Sequence, residues 1–373
     1  QFAGAVEAAA STGGQLMPPI MGAAAFLMAQ ITQIPYLSIC KAALPAAVIY
    51  FLCVGATVHY EALKYDLKTM DILDVVPTRT LIKDVYLFLP VIALVILMII
   101  GYSPFMGAFI GSCAAFVISF FDRTRWMTPR KVIDVLDMGG RNLVMIASAC
   151  AGAGLIIAVV VNTGLGLQFS NLVISYSGGV YLVALFFIMV SAIVLGMGLP
   201  TTAAYVLAVS VGGPTLIEMG GDVLQVHLFV FYFAVMACVT PPVALAAYAG
   251  ASLAKTDPLK TGFEASRIAV AGYIIPFILV YNEGIMLRGT HFEIVTAIVA
   301  CVIATYLVVI GFEGWMLTEL KIVERIVLVI FAVIIPFPIV LSIPQGIVVG
   351  AILIVVTYML QRNRRGKLSA ESA

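Results

Sequence analysis

Apolar runs of about 20 residues recur along the chain, and each is long enough to cross a hydrocarbon layer about 30 Å thick. Of the 373 residues, 62% are hydrophobic and only 10% are charged, whereas about 25% of the residues in a soluble domain are charged. The mean hydropathy is +1.13. These features predict an all-α polytopic membrane protein. The net charge of +1 argues against a nucleic-acid partner, for which a basic face would be expected.

The apolar stretches alternate with short polar or Pro- and Gly-rich breaks, and no long linker divides them, which indicates one membrane domain. Tyr102, Ser103 and Pro104 predict a tight turn between two of the stretches. We predict the stretches at 2–31 (interrupted), 36–59, 85–101, 105–121, 142–162, 179–198, 199–217, 224–255 (interrupted), 262–281, 294–311, 322–342 and 346–361.

Two Pro-Pro dipeptides mark an internal repeat. Pro18–Pro19 and Pro241–Pro242 are each followed by a run of small residues, "IMGAAAFLMAQ" and "VALAAYAGASLAK". The two dipeptides are 241 − 18 = 223 residues apart, and the same shift places Pro35 on Pro258. Broken helices at corresponding positions of two repeats are typical of secondary transporters, whose sites lie near the bilayer midplane. We therefore predict an inverted repeat in which segments 2–59 and 224–281 superpose after inversion.

The first break lies in "STGGQLMPP". Ser11, Thr12, Gly13, Gly14 and Gln15 precede Pro18, and we expect the stretch from Ser11 to Gln15 to be non-helical and buried. Proline removes an amide donor and clashes with the carbonyl one turn earlier. In lipid such backbone is tolerated only inside protein or beside a wet cavity. Freed carbonyls and hydroxyls suit a small cation, so we predict an ion site; the alternative is a proline kink satisfied by neighbouring helices.

A second candidate region is "GMGLPTTAAYVLAVSVGGP", residues 196–214. Gly196, Gly198 and Pro200 predict one break, with Thr201 and Thr202 placing hydroxyls beside it. Gly212, Gly213 and Pro214 predict another break. The dozen or so helix-prone residues between the breaks are too few to cross a bilayer, which favours a re-entrant hairpin. The alternative is a span that ends in a loop and a short surface helix.

Three motifs together, "STGGQLMPPIMGAAAFLMA", "GMGLPTTAAYVLAVSV" and "TPPVALAAYAGASLA", resemble the large membrane subunit of tripartite ATP-independent periplasmic (TRAP) transporters. The chain is most similar to the fused permeases that work with TAXI-type binding proteins. The resemblance covers residues 1–281, as the transport core. Residues 282–373 resemble the extra C-terminal helices of some fused members and end in a basic tail.

The resemblance implies a sodium-driven importer of elevator type, supplied with substrate by a TAXI-type periplasmic binding protein. It implies two hairpins, each followed by an unwound helix. The second pair matches 196–217 and 224–255, while the first hairpin and a fused small membrane subunit would precede Gln1. The expected substrate is an organic acid, either a carboxylate or an amino acid, held by hydroxyls and by amides at broken-helix ends.

Sodium prefers oxygen ligands, and the two breaks and the predicted hairpin tip supply hydroxyls and freed carbonyls. Many dicarboxylate-type relatives have an aspartate where this chain has Leu199, so a sodium ligand there must come from a backbone carbonyl, Thr201 or Thr202. The isolated histidines and scattered cysteines form no metal motif, and we expect no cofactor besides sodium as coupling ion. The predicted sodium ligands are Ser11, Thr12, Gly13, Thr201, Thr202 and Thr240, with Val239 and Pro241 completing the second break.

Positive charges predict the orientation. Loop 122–141 and the tail "QRNRRGK" are rich in arginine and lysine, which places both, with the C-terminus, on the cytoplasmic side of the bacterial inner membrane. Inverted repeats need an even number of crossings between the broken helices, but five apolar stretches lie there. One of them is therefore a partial span or an arm along the membrane, with 142–162 and 179–198 as candidates. The alternative functions are an ion channel and an intramembrane enzyme.

Overall fold

The computed structural model describes residues 1–66, 84–121, 126–337 and 342–371. Within these ranges the regular secondary structure is helical, apart from a single backbone bridge between Trp315 and Glu319. The first helices are α1 (Phe2–Gly13), α2 (Ala23–Thr32), α3 (Tyr36–Lys64), α4 (Leu89–Ile100), α5 (Pro104–Ile118), α6 (Pro129–Asn162) and α7 (Leu165–Ser177).

The second half of the chain continues the helical pattern, and this confirms the predicted all-α class. Its helices are α8 (Tyr181–Gly196), α9 (Thr201–Glu218), α10 (Val223–Met236), α11 (Leu245–Ala254), α12 (Pro258–Ile268), α13 (Ala271–Tyr281), α14 (His291–Glu313), α15 (Ile322–Ile334) and α16 (Ile343–Glu371).

Among the described residues, four helical segments are long and apolar enough to cross a membrane: α3, α12 with α13 (Pro258–Tyr281), α14, and Ile343–Arg364 of α16. A bent pair, Gly154–Val160 and Leu165–Ser177, inclined at 70°, would add a fifth if it forms one span. The chain is a multi-pass membrane protein.

The chain divides into two compact units. The first comprises Gln1–Ile34, Ser38–Leu67 and Gly152–Ala373, and the second comprises Pro35–Leu37 and Lys68–Ala151. Because residues 152–373 belong to one unit, the helices beyond residue 281 pack with the repeats. The domain boundary predicted at 281/282 stays a prediction.

In the second unit, α4 and α5 form a tightly packed helical pair joined by the predicted turn at 102–104. Ser103 ends this turn by accepting a hydrogen bond from the amide of Met106, at 3.3 Å, and so caps α5. The two helices approach closely at Gly111, where a methyl group would lie 3.2 Å from the carbonyl oxygen of Pro90. A small residue there lets two apolar helices pack without a gap.

The charged region predicted as a loop at 122–141 is helical from Pro129 onward, as the first part of α6. A proline near the helix start has the required φ angle and loses no helical hydrogen bond. Asp137 and Arg141, one turn apart, form an exposed ion pair at 2.9 Å. Asp122, Arg123 and Arg125, which belong to the same prediction, lie outside the described residues.

The two broken helices are the centre of the first unit. The first consists of α1, a break at 14–22 and α2, and the second consists of α10, a break at 237–244 and α11. The shift of 223 residues found in the sequence holds in the structure, since α1 ends at Gly13 and α10 ends at Met236 (13 + 223 = 236). The predicted repeat of a broken helix is thus present in the helix bounds.

The packing of these halves fixes their relative direction. Helix α1 packs against α11, and α2 packs against α10. The first half of each broken helix therefore lies beside the second half of the other, so the two run antiparallel. An inverted repeat produces this orientation. Every residue of α10 from Leu224 to Met236 is buried, which makes α10 the core of the unit.

The hairpin differs from its prediction. Its arms are α8 and α9, joined by the short connection 197–200, and α9 runs without interruption through Gly212, Gly213 and Pro214. The second break predicted there is wrong. Gly212 instead lets α9 approach α8, because a methyl group at this position would lie 2.8 Å from the side chain of Ile188. Stretch 179–198, one candidate for a partial span, is the first arm of this hairpin.

Candidate functional site

The first break begins later than predicted. Ser11, Thr12 and Gly13 form the last turn of α1, and only Gly14 and Gln15 lie beyond the helix. The expectation that all five are non-helical is wrong for the first three. Glycine and hydroxyl residues are tolerated in a helix, whereas Pro18 and Pro19 lack the amide hydrogens that would continue it.

The predicted ligands of the first break differ in their exposure and in their hydrogen-bond partners. Ser11 is exposed, and its hydroxyl donates to the Glu7 carboxylate at 2.8 Å. Gly14 is also exposed, so the expected burial is wrong for both residues. Thr12 is only 2% exposed, and its Oγ1 atom has no hydrogen-bond partner among the described residues. Thr12 therefore has the one hydroxyl here that is buried and available to a ligand.

Tight backbone turns carry the chain from α1 to the prolines. The amides of Gln15 and Leu16 donate to the carbonyls of Thr12 and Gly13 at 3.1 and 2.9 Å, and the amide of Gly22 donates to the Gln15 carbonyl at 2.8 Å. Gln15 is half-buried, as is Pro18. These bonds close the break into a compact loop before α2.

Tyr50 of α3 packs against the end of α1, next to the first break. Its hydroxyl donates to the Ala9 carbonyl at 2.8 Å, and its ring lies so close to Gly13 that a methyl group on the glycine would stand 2.3 Å away. Gly13 is therefore required for space. The close contact fixes the end of α1, and with it the position of Thr12.

The second break is tied to the helices that follow it. Ser266 of α12 donates to the Val239 carbonyl at 2.9 Å. The Thr240 hydroxyl donates to the Met236 carbonyl at 2.7 Å and lies 2.6 Å from the hydroxyl of Tyr273. Both predicted ligands thus have protein partners, and Pro241 packs close to Gly262 of α12.

The hairpin tip meets the second break. A methyl group on Gly196 would lie 2.9 Å from the Ala237 side chain, and the Thr201 hydroxyl is 3.7 Å from the Cys238 sulfur. Gly198 has a φ angle of +76°, which suits glycine. Thr202 follows Pro200 and Thr201 at the start of α9 and is buried.

The contacts thus form two groups. Thr12, Gly13 and Tyr50 surround the first break, while Gly196, Thr201 and Cys238 join the tip to the second. The Thr240 hydroxyl contacts the hydroxyl of Tyr273. The two groups differ in their hydrogen-bonding side chains.

Sequence reasoning missed Tyr50 and Tyr273, although the repeat could have found them. The two are related by the repeat shift (50 + 223 = 273). Each lies on a helix that follows a broken helix, and each places its hydroxyl on that broken helix. No local motif marks either residue.

The family comparison agrees with this geometry. Residues 1–294 match the model of the tripartite ATP-independent periplasmic transporter, DctM component. Among curated proteins, no match is found. The matched part contains both broken helices and the hairpin, and it covers most of the chain. The chain therefore belongs to the DctM component family of the tripartite ATP-independent periplasmic transporters.

Proposed function

We propose that this chain is the permease subunit of a sodium-coupled secondary importer. A TAXI-type periplasmic binding protein would deliver an organic acid, either a carboxylate or an amino acid. The permease would move it across the bacterial inner membrane together with a small membrane subunit, which in this proposal is fused upstream. The family is one of transporter components, so neither a channel nor an intramembrane enzyme is proposed.

The main observation in support of sodium coupling is the position of the Thr12 hydroxyl. It is buried at the end of a broken helix, with no hydrogen-bond partner among the described residues. Leaving a buried hydroxyl unpaired costs about 1–3 kcal/mol, and a sodium ion would offset that cost by accepting its oxygen as a ligand. The carbonyl end of α1 adds favourable partial negative charge, since the helix dipole is negative at its C-terminus.

The hairpin tip supports a second site. Thr201 and Thr202 stand at the start of α9, against the break that follows α10. In this proposal their hydroxyls and the carbonyls of the tip replace the carboxylate that relatives have at the position of Leu199. Thr240 contributes mainly to holding the break, because its hydroxyl is already paired with Met236 and Tyr273.

Helix starts support an anionic substrate. Helices α2, α9 and α11 each begin at a break or at the hairpin tip, and none of their N-caps has a side-chain capping bond. Amides at such ends carry partial positive charge and bind carboxylates readily. In the proposed elevator movement, the hairpin would carry ion and substrate together.

The basic tail supports a cytoplasmic C-terminus. Arg362 and Arg364 lie in α16 just after its strongly apolar stretch. Positive residues flanking a span favour the cytoplasmic side. Arg364 also pairs with Glu324 of α15, with one nitrogen–oxygen distance of 3.0 Å.

Uptake into proteoliposomes tests the proposal. The complete transporter and its binding protein, loaded with labelled substrate, would be assayed with an inward sodium gradient and with choline in its place. We expect accumulation only with sodium. Equal accumulation in choline would contradict sodium coupling, and a parallel assay with a proton gradient would identify the other common coupling ion.

A further inference from the structure

A buried hydrogen bond joins the hairpin to the second broken helix. The hydroxyl oxygen of Tyr205, on the second arm α9, lies 2.6 Å from Nδ1 of His227 on α10. Tyr205 is fully buried and His227 is only 6% exposed, so the bond lies inside the protein. The proposed ion and substrate sites do not use either residue.

The residues at the start of α9 divide between two neighbouring elements. Ala204 faces the first arm of the hairpin, since a methyl group on Gly196 would lie 3.4 Å from its side chain. Thr201 contacts the second break, and Tyr205 contacts α10. Residues four positions apart lie on the same face of a helix. The bond to His227 is therefore one helical turn, about 6 Å along α9, from the hydroxyl at the tip.

Two contacts at the tip itself are weak. The Thr201 hydroxyl lies 3.7 Å from the Cys238 sulfur, and a thiol is a weak hydrogen-bonding group. Gly196 packs against the Ala237 methyl group, and apolar packing has little directional preference. A hydrogen bond between a hydroxyl and an imidazole has a defined distance and direction. The bond from Tyr205 therefore fixes the position of α9 on α10 more specifically than these two contacts do.

Separation of α9 from α10 would leave two buried polar groups without this partner. A buried group that loses its hydrogen bond carries the full cost of its desolvation, and hydrogen bonds are stronger in the low dielectric of a protein interior. The Tyr205 ring also packs edge-on against Phe231 of α10, with the ring centroids 6.0 Å apart, which is a favoured aromatic geometry. Both contacts stabilise the state in which the hairpin lies on α10.

We propose that Tyr205 and His227 are positioning residues, which hold the hairpin tip against the second break. Their bond keeps the start of α9 on α10, and α9 in turn places Thr201 beside Cys238. Only the consequence for sodium binding rests on the proposed function, because it requires the tip hydroxyls to be ligands. The position of the tip can be measured without sodium.

The native thiol of Cys238 reports that position. It is half-buried and Thr201 lies against its sulfur, so movement of the tip away from the break should expose it. Labelling of the complete transporter by N-ethylmaleimide, followed by mass spectrometry of the Cys238 peptide, measures how often the thiol is exposed. We expect Tyr205→Phe to be labelled about fivefold faster than the wild type, which is the effect of one typical hydrogen bond on an equilibrium.

Tyr232→Phe is the matched control. Tyr232 is a buried tyrosine of α10 whose hydroxyl has no hydrogen-bond partner among the described residues, so we expect labelling of Cys238 at the wild-type rate. Cys301 of α14 is fully buried and serves as the internal control, since only general loosening of the protein would expose it. Wild-type labelling of Cys238 in Tyr205→Phe would overturn the proposal, as would an equal rise in Tyr232→Phe or at Cys301.

Two replacements of His227 separate hydrogen bonding from packing. Asparagine keeps a hydrogen-bonding group close to the position of Nδ1, whereas leucine has none. We expect labelling of Cys238 close to the wild-type rate in His227→Asn and several times faster in His227→Leu. Equal labelling of these two variants would overturn the proposal, and the pair decides the result if Tyr205→Phe does not fold.

Uptake measured against sodium concentration tests the consequence for transport. We expect Tyr205→Phe to need severalfold more sodium for half-maximal uptake, with a smaller change in the maximal rate. A merely structural role would lower the amount of folded transporter, and with it only the maximal rate. Faster labelling of Cys238 together with unchanged sodium activation would support the positioning role and contradict the proposed sodium ligands at the tip.

Discussion

Gly4 of α1 and Gly250 of α11 touch through their backbones. A methyl group on Gly250 would lie 2.3 Å from the Gly4 carbonyl oxygen, and one on Gly4 would lie 2.8 Å from the carbonyl oxygen of Gly250. Neither obstacle is a side chain that could rotate away. The two glycines therefore set the distance at which the two broken helices cross.

Gly250→Ala should separate α1 from α11. Overpacking at a fixed contact costs about 1–3 kcal/mol, so we expect a lower unfolding midpoint and less folded transporter in detergent. Gly55→Ala is the matched control, since nothing lies within 4 Å of the added methyl group at that exposed position of α3. Equal stability of the two variants would show that the crossing can adjust.

Gly196→Ala should disturb the contact between the hairpin tip and the second break. The new methyl group would lie 2.9 Å from the Ala237 side chain and 3.4 Å from that of Ala204. We expect uptake to fall more than membrane abundance, because the tip is displaced while the arms α8 and α9 remain packed. Gly140→Ala, in open space on α6, is the control. Unchanged uptake in Gly196→Ala would show that transport does not depend on the contact between the tip and the second break.

The contributions of Tyr273 and Thr240 to stability should be non-additive. Each of Tyr273→Phe and Thr240→Val removes a hydroxyl of the same 2.6 Å contact, and a typical hydrogen bond contributes about 1 kcal/mol. We expect the double variant to lose less stability than the sum of the single losses. A double-mutant cycle on unfolding midpoints measures this difference, and strict additivity would mean that the bond contributes nothing.

The two Pro-Pro dipeptides marked both breaks in the sequence because proline acts locally, although the first break begins later than predicted. Pro18–Pro19 and Pro241–Pro242 lack amide hydrogens, and the chain leaves the helix before both. Pro214 obeys the same local chemistry, yet α9 continues through it. What differs is the packing of α9 against α7, α8 and α10, and tertiary packing of this kind is not encoded by any short motif.

The sequence also did not predict which side chains face the interior of the protein. Ser11 and Thr12 are neighbours with similar hydroxyls, but one bonds to Glu7 at the surface and the other is buried. Consecutive side chains of an α-helix point about 100° apart, and only the packing against α3 shows which of the two faces inward. Glu61 and Glu313 likewise both pair with Arg267, although all three are far apart in the sequence.

Thr202→Val should raise the sodium concentration required for half-maximal uptake, since it removes a hydroxyl at the hairpin tip. Thr215→Val is a control on the same helix, where the hydroxyl bonds to Ser170 at 2.7 Å. We expect the control to lose stability and keep its sodium dependence. Identical sodium activation of Thr202→Val and the wild type would leave the Thr201 hydroxyl and backbone carbonyls as the candidate ligands at the tip.

The most direct test of the sodium site compares Thr12→Val with Thr12→Ser. Valine has nearly the shape of threonine without its hydroxyl, whereas serine keeps the hydroxyl. In proteoliposomes containing the complete transporter and its binding protein, uptake would be measured against sodium concentration. We predict that Thr12→Val requires severalfold more sodium for half-maximal uptake and that Thr12→Ser stays close to the wild type. Sodium activation of Thr12→Val that matches the wild type, with uptake intact, would contradict a sodium site at the end of α1.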